Sequence, residues 1–413
     1  MREDAGPARE AAERAARMAY GKLVAILAVR ARDVASAEDA LSGALAEALV
    51  AWPRDGVPTN PEAWLLTAAR NNLTDAERRS RRERALSDAS MDQEHRISRL
   101  LSSLDEQDSA DERLTLLFVC AHPAIDAGVR TPLMLQAVMG LSAEQIAEAF
   151  VVSPATMSQR LVRAKRRIVE TGVRFAQPDA DEMPERIEHV LDAIYGAFGA
   201  AYNDAMGTES AAALAHEAID LIAIVTTQLP TCAEAWGLRA LLLLCHARRG
   251  ARRDEMGAYV PLREQQMATW DQELIAAGNQ SLMQAARLGQ PGRFQTQAAI
   301  QAAHMDGVAR GVDNSGHVAR MYDVLMVQEP TVGTLVARAA AWADAGYVGD
   351  ALKMLDAVAG RDVEAHQPFW AVRADVLRRL GRMHEARDCY ERAIGLSTDA
   401  AVREWLRRRM SAP

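Results

Sequence analysis

The sequence predicts an all-α protein with two small helical domains followed by a long helical-repeat domain. Apolar residues recur at helical spacing along most of the 413 residues, and the alternating patterns typical of strands are scarce. Alanine, leucine, arginine and glutamate dominate, and these residues favour helices. Two charged or turn-rich stretches, 86–110 and 174–185, interrupt the helical pattern. They divide the chain into segments 1–85, 111–173 and 186–413.

The composition limits the classes of protein to which this chain can belong. The formal net charge is −8, so any contact with nucleic acid depends on local basic faces rather than on bulk charge. Four cysteines without a CxxC pattern suit a reducing compartment. Cys120 and His122 have the spacing of half a metal site, but no second pair lies at ligand spacing, which favours packing.

The sequence contains none of the motifs that usually carry catalysis or targeting. A glycine-rich phosphate loop, a nucleophile elbow and a framed pair of carboxylates are all missing. No apolar stretch has the character of a signal peptide or a membrane span. We therefore expect a cytoplasmic protein that is not an enzyme, has no membrane segment and uses no cofactor or metal.

The first segment predicts three helices. Residues 1–15 are charged and alanine-rich, so we expect a frayed lead-in, followed by an amphipathic helix over 16–32. A second helix is expected over 36–52, because Ser36 is followed by two carboxylates in the first turn. The loop 53–60 is rich in turn formers.

Asn60 and Pro61 open the third helix, which has two different faces. Apolar side chains lie on one face, and a polar stripe with its neighbours lies on the other. This α3 stripe contains Trp64, Thr67, Arg70, Asn71, Thr74 and Arg78. The helix ends in the basic run 78–84, for which a solvated helix terminus is the simpler interpretation when the run is considered alone.

Residues 86–110 lose apolar periodicity and carry more acidic than basic side chains. We expect a flexible acidic linker here. Apolar periodicity returns at 111, and 111–173 is predicted to form a four-helix unit that ends in a helix-turn-helix.

The helix-turn-helix is predicted over 142–170. Ser142 and Gln145 form a capping box, and Ser153 followed by Pro154 is typical of the start of a second helix. The apolar residues of that second helix are Met157, Leu161, Ala164 and Ile168. Its outward face, the α7 face, contains Thr156, Ser158, Gln159, Arg160, Val162, Arg163 and Arg166. Such a face suits a DNA major groove, although the motif alone is also compatible with an ordinary helix pair in a bundle.

The segment 186–413 predicts consecutive helices with a repeat near its end. Residues 337–358 match 371–394 at an offset of 35, so that Gly346 aligns with Gly381. A helix, a glycine-containing turn and a second helix at this period are typical of tetratricopeptide (TPR) repeats.

With these residues in view, 16–173 resembles an extracytoplasmic-function (ECF) sigma factor of bacterial RNA polymerase. Sigma region 2 is resembled by AEDALSGALAEAL and NPEAWLLTAARNNLTDAERR. The helix-turn-helix of region 4 is resembled by GLSAEQIAEAFVVSPATMSQRLVRAKRRI. The long extension resembles that of a subgroup in which such a sigma factor is fused to a TPR-like domain.

The resemblance implies an alternative sigma factor that binds core RNA polymerase and directs it to specific promoters. The helix at 36–52 would dock on the polymerase clamp, with Glu38, Asp39 and Glu47 as candidate contacts. Asn71 stands where the family inserts a side chain into a pocket for a flipped base of the minus-10 element, and the α3 stripe would read that element. The α7 face would read the minus-35 element. Gln136 stands where many relatives have an arginine near the DNA backbone.

The expected partners are core RNA polymerase, promoter DNA and a protein that binds the repeat surface, with the holoenzyme at the nucleoid. Two other functional classes fit the same sequence. One is a stand-alone helix-turn-helix regulator with a TPR-like sensor, although it would not need a region-2-like half. The other is a TPR scaffold whose sigma-like module no longer initiates, against which Asn71 and Arg163 argue. We also expect 186–413 to regulate the sigma-like segments in cis.

Overall fold

The computed structural model describes residues 5–85, 112–150, 152–203, 209–358 and 363–411. These residues form 18 α-helices and three short 3₁₀ helices, and they contain no strand beyond one isolated bridge. The prediction of an all-α fold is therefore confirmed. None of the helices in these ranges is long and apolar enough to cross a membrane.

The described chain divides into two compact units. The first contains the described residues of Met1–Ala201 and Glu209–Ile224, and the second contains those of Tyr202–Thr208 and Val225–Pro413. The predicted acidic linker, 86–110, lies outside the described residues.

Three helices open the first unit: α1 (Ala5–Ala31), α2 (Val34–Asp55) and α3 (Pro61–Ala85). They pack around a shared apolar core that includes Leu27 and Leu65. This core forms because each helix carries an apolar stripe that only its neighbours can remove from water.

Two predicted boundaries in this bundle are wrong. The helix α1 already begins at Ala5, since Ala12 is buried and an exposed Arg9–Glu13 pair joins one helical turn to the next. Asp33, rather than Ser36, caps α2, because its carboxylate accepts hydrogen bonds from two backbone N–H groups in the first turn.

The end of α2 also differs from the prediction. The helix continues through Pro53 to Asp55, so the predicted loop 53–60 shrinks to 56–60. Gly56 ends the helix with a positive φ of 86°, and its N–H donates to the carbonyl of Trp52. A proline in the last turn removes one donor without breaking the turns before it.

The helices α4 (Glu112–Cys120), α5 (Ala127–Ala137), α6 (Ala143–Ala149) and α7 (Pro154–Thr171) follow. The helix α1 packs against both α4 and α5. Gly21 of α1 is the closest approach, because a Cβ added there would lie 1.7 Å from the carbonyl oxygen of Val138. The ring of Tyr20 lies over Gly140, which has a positive φ of 68°. The first three helices and the next four are thus packed as one body.

Two more helices contribute to this unit: α8 (Met183–Asn203) and α9 (Glu209–Gln228), the latter reaching into the second unit. The second unit continues with α10 (Ala233–His246), three 3₁₀ turns between 249 and 269, and α11 (Gln272–Arg287). The helix α11 begins after these turns because the carboxylate of Asp271 caps it by accepting from two backbone N–H groups.

The remaining helices are arranged as consecutive hairpins. They are α12 (Arg293–Arg310), α13 (Ser315–Gln328), α14 (Val332–Asp344), α15 (Val348–Val358), α16 (Gln367–Arg379), α17 (Met383–Leu396) and α18 (Ala400–Ser411). The sequence repeat corresponds to the hairpins α14–α15 and α16–α17. Gly346 and Gly381 occupy equivalent turns, with positive φ values of 93° and 75° that favour glycine.

Candidate nucleic-acid interface

The helix α7 begins and packs as its sequence predicts. The hydroxyl of Ser153 accepts a hydrogen bond from the N–H of Thr156 at 3.2 Å, and Pro154 occupies the first turn. Ser142 and Gln145 exchange the two hydrogen bonds of a capping box at the start of α6. The buried residues of α7 are the four predicted ones: Met157, Leu161, Ala164 and Ile168.

Most of the α7 face is exposed to solvent. Ser158, Gln159, Arg160, Val162, Arg163 and Arg166 are exposed, while Thr156 is half-buried beside its cap. Val162 exposes 64% of its surface, so its methyl groups can contact a thymine methyl group. The guanidinium of Arg166 is 2.6 Å from Glu170, but both side chains are largely exposed, so this pair is weak.

A basic cleft of about 650 Å³ runs along one edge of this face. Arg160, Arg163 and Arg167 line one wall, and residues around the start of α5 line the other. The carboxylate of Asp126 accepts from the N–H of Gly128 and so caps α5 inside the cleft. Three cations at one concave surface attract a polyanion such as the DNA backbone.

Lys165 does not belong to the exposed basic face. Its ammonium forms an ion pair with Glu38 of α2, and the two side chains expose only 11% and 16% of their surface. Burial raises the pKa of Glu38, an effect that the Lys165 ammonium opposes. The pair therefore joins a predicted polymerase contact to the helix predicted to read DNA. The sequence carries a signal for it, because Lys165 lies one turn from both Leu161 and Ile168 on the buried side of α7.

The other two candidate polymerase contacts on α2 remain accessible. Asp39 and Glu47 are both exposed. Glu38 differs because Tyr20 and Cys120 lie close to it in the packing between α1, α2 and α4, and burial raises the pKa of both the phenol and the thiol.

The α3 stripe contains both exposed and half-buried side chains, and two of its hydroxyls already form hydrogen bonds. Asn71 and Thr67 are exposed, and the hydroxyls of Thr67 and Thr74 donate to carbonyls one turn earlier in the same helix. Arg78 is exposed near Asp75, and Arg70 is half-buried. Asn71 is therefore the stripe's exposed amide, able to donate and accept toward a base edge.

Trp64 has a partner that the sequence analysis did not identify. Its ring meets the ring of buried Trp52 edge to face, with the centroids 5.6 Å apart. Next to the stripe, the amide of Asn72 donates to the carbonyl of Ala40 at 3.3 Å and ties α3 to α2. Trp64 and Asn72 thus fix the orientation in which α3 presents Asn71.

Buried arginines connect α4 and α5 to the helices that follow α7. Arg130 of α5 is buried, donates to the carbonyl of Ile125 and lies 2.6 Å from the ring nitrogen Nε2 of His189 in α8. Arg113 of α4 forms a largely buried ion pair with Glu217 of α9 at 2.8 Å. The start of the extension is therefore tied to α4 and α5, the helices that precede the helix-turn-helix. Gln136 of α5 is half-buried and contributes no charge.

Comparisons with known proteins match two segments of the chain. Residues 16–83 match the sigma-70 region 2 family, a non-enzymatic transcription-factor domain, and 186–286 match a family of unknown function (DUF6596). No solved structure matches the chain. Uncharacterized protein R00370 of Rhizobium meliloti (strain 1021) is 37% identical over 379 residues, which cover 91% of this chain and 89% of the relative. The chain therefore belongs to the same protein family as that relative, and it contains a sigma-70 region 2 domain at residues 16–83.

Proposed function

We propose that this protein is an alternative sigma factor of the ECF type, which binds core RNA polymerase and directs it to specific promoters. The observation that carries the proposal is the sigma-70 region 2 domain at 16–83, packed in one unit with a capped helix-turn-helix whose outer face is basic. A stand-alone regulator does not need a sigma-70 region 2 domain.

The α7 face is the proposed reader of the minus-35 element. Arg163 and Gln159 extend from the exposed side of a helix that is fixed at both ends, by Ser153 and by the αL cap of Gly172. Arginine pairs well with guanine and glutamine with adenine in the major groove. Arg160 and Arg167 of the basic cleft supply phosphate contacts that set the register.

The α3 stripe is the proposed reader of the minus-10 element. Asn71 is exposed on a helix held in place by the Trp52–Trp64 contact and by Asn72. A fixed, exposed amide suits the edge of an unstacked base. Asp39 and Glu47 of α2 are the proposed contacts to the polymerase in the resting structure.

The Glu38–Lys165 pair gives the proposed factor a closed state. Glu38 cannot contact the polymerase, and Lys165 cannot contact a phosphate, while each neutralises the other. Opening this pair would therefore accompany assembly of the holoenzyme in the cytoplasm and its binding to the nucleoid.

The proposed role of the extension, a TPR-like domain, is regulation in cis together with binding of a protein partner. Arg130–His189 and Arg113–Glu217 support it, because they connect the extension to α4 and α5, which precede the helix-turn-helix. Helical hairpins in series also expose long surfaces that suit peptides or helices of other proteins.

Run-off transcription with purified core polymerase and a library of promoter fragments tests the proposal. We expect transcripts that depend on the full-length protein and share two sequence elements upstream of the start site. Asn71→Ala should change selection at the downstream element only, and Arg163→Ala at the upstream element only. If the protein neither binds core polymerase nor changes its promoter choice, the proposal is wrong.

A further inference from the structure

A short two-stranded loop, the tongue (residues 252–260), lies in the second unit after α10. Arg253 and Tyr259 lie opposite each other in an antiparallel bridge, and a backbone hydrogen bond of 3.0 Å closes the loop on either side of it. The tip is open to solvent, since Met256 exposes 93% of its surface. Because these backbone bonds are internal to the tongue, side chains attach it to the neighbouring helices.

Both strands of the tongue contact α18, the last helix of the hairpin series. The guanidinium of Arg253 forms an ion pair with Asp399 at the start of α18, and the two side chains expose only 29% and 20% of their surface. The ring of Tyr259 meets the ring of Trp405 edge to face, with the centroids 5.7 Å apart. The tongue thus covers one carboxylate and one aromatic ring of the last helix.

The last helix and the root of the tongue each have contacts of their own. The helix α18 packs against α17, and its Leu406 is buried in the apolar core that the last hairpins share. The indole of Trp405 packs against the edge of the same core, so it keeps its position when the tongue leaves. Buried Gln265 donates its amide to the carbonyl of Val260 at 3.1 Å and fixes the root of the tongue. The tongue can therefore leave α18 while its root and the helix stay in place.

We propose that the tongue is a displaceable strap over a partner-binding surface formed by Asp399 and Trp405, and that the partner is a protein segment presenting an arginine beside an aromatic side chain. A segment that replaces the tongue has to supply a counter-charge to a largely buried carboxylate, and arginine does so. The indole already has the cationic neighbour Arg409 at 5.5 Å, so an aromatic ring suits it better than a second cation. The inference rests on the proposed binding of a partner by the extension, and its test needs no polymerase, so its failure leaves the proposed role in transcription intact.

A peptide that copies the tongue tests the proposal on the full-length protein. The probe is a fluorescent peptide of residues 251–261, joined head to tail so that its strands stay paired, and binding is followed by fluorescence anisotropy. The double variant Arg253→Ala and Tyr259→Ala releases the tongue and should bind the peptide about tenfold more tightly than the native protein. The reason is that the apparent affinity of a covered site falls with the fraction of molecules in which it is uncovered. Unchanged helical content by circular dichroism shows that the variant folds, and Arg253→Ala alone should give an intermediate gain.

Two further variants make the result specific. Asp399 also caps α18 by accepting from the N–H groups of Ala401 and Val402, and asparagine caps a helix equally well. Asp399→Asn in the released protein therefore removes only the charge and should weaken binding of the peptide about tenfold. Met256→Ala at the exposed tip is the control and should bind the peptide as the native protein does. The proposal is overturned if the peptide does not bind the released protein saturably, binds it no better than the native protein, or is insensitive to Asp399→Asn.

Discussion

Arg163 and Arg167 lie one helical turn apart in α7, yet we expect different effects from their loss. Arg163→Ala should remove a base contact, costing about 1–3 kcal/mol at one promoter position and relaxing the preference there. Arg167→Ala should weaken binding to all sequences alike. It should also reduce the slope of log affinity against log salt concentration by about one. Competition binding to promoter variants at several salt concentrations measures both.

Arg407→Ala is the matched control, because this exposed arginine lies on α18 and pairs with Glu404 of the same helix. It should change neither the preference nor the salt slope. If Arg163→Ala leaves the ranking of promoter variants unchanged, Arg163 does not read a base.

The buried Glu38–Lys165 ion pair should contribute to folding stability only while both charges are present. Replacing either residue by alanine leaves the other charge buried, and such a loss costs about 3 kcal/mol. Exchanging the charges, with Glu38→Lys and Lys165→Glu together, should restore a large part of the stability. Urea unfolding of the native protein, the two alanine variants and the double alanine variant forms a double-mutant cycle, and the exchanged protein is measured beside them. Additive losses, with no recovery in the exchanged protein, would show that the pair is not coupled.

The buried imidazole of His304 makes the stability of the second unit depend on pH. Burial, helped by the Arg263 and Arg248 guanidinium groups, lowers the pKa of His304 to about 4. The unfolded chain has the higher pKa of about 6.5, so it binds the proton first as the pH falls. The stability contributed by neutral His304 is therefore complete above pH 6.5, is lost as the pH falls toward 4, and is reduced by about 2 kcal/mol at pH 5.

Urea unfolding at pH 7.5 and pH 5 measures this contribution. The loss between the two pH values should be about 2 kcal/mol smaller in His304→Gln than in the native protein. His384→Gln is the control, since His384 is exposed on α17. An equal loss in both variants would mean that His304 does not control this dependence.

At the scale of single residues, the sequence predicts which side chains are buried or exposed better than it predicts which residues contact each other. The alternation of buried and exposed positions in α7 is fully predictable, since it follows from helical periodicity alone. The Glu38–Lys165 contact is not, because it joins residues 127 positions apart through a packing that periodicity does not encode. The position of Lys165 beside Leu161 and Ile168 shows only that its charge needs a partner.

At the scale of elements, the close packing of α1 against the end of α5 depends on Gly21. A methyl group there would meet the Val138 carbonyl, which belongs to backbone and cannot rotate away. We expect Gly21→Ala to separate α1 from α5 and to speed hydrogen exchange in α4 and α5. If the closed state limits assembly, the same change should strengthen binding to core polymerase.

Gly196→Ala in α8 is the matched control, because an added Cβ meets nothing within 4 Å there. It should leave exchange in α4 and α5 unchanged and stabilise α8 by about 0.5–1 kcal/mol. Equal exchange rates in the two variants would mean that the α1–α5 contact tolerates a Cβ.

Helix boundaries were predictable where a cap is local and unambiguous. The capping box of Ser142 and Gln145 identifies where α6 begins, and the Ser153 cap identifies where α7 begins. The start of α2 was missed because Asp33 and Ser36 are both good caps, and only the fold decides which carboxylate or hydroxyl meets the free N–H groups. The start of α1 was missed because Ala12 is buried by tertiary packing, which overrides the expected fraying.

At the scale of the whole molecule, the compact units do not follow the composition of the chain. The stretch at 174–185 is rich in proline and acidic residues, yet the described residues of 183–201 and 209–224 belong to the same unit as α1–α7. Composition reports where the chain lacks apolar periodicity, whereas the unit is defined by contacts such as Arg130–His189 and Arg113–Glu217. These contacts also show where the chain should be cut to test regulation.

A protein ending at Gln228 and one ending at Thr171 should therefore behave differently. The shorter protein loses α8 and α9, which leaves Arg130 buried without His189 and removes Glu217 from Arg113. We expect it to be less stable than the longer protein by at least about 3 kcal/mol, in line with the loss of a buried charged partner. Thermal and urea unfolding of both proteins measures the difference.

The protein ending at Gln228 then isolates regulation from stability. It keeps the first unit with its Glu38–Lys165 pair, so its core affinity and promoter-dependent transcription report the influence of the second unit alone. We expect both quantities to differ from those of the full-length protein, since the second unit holds the helical-hairpin repeats. Should the protein ending at Gln228 match the full-length protein in core affinity and in transcription, in vitro and in cells, the second unit would act only as a docking surface for other proteins.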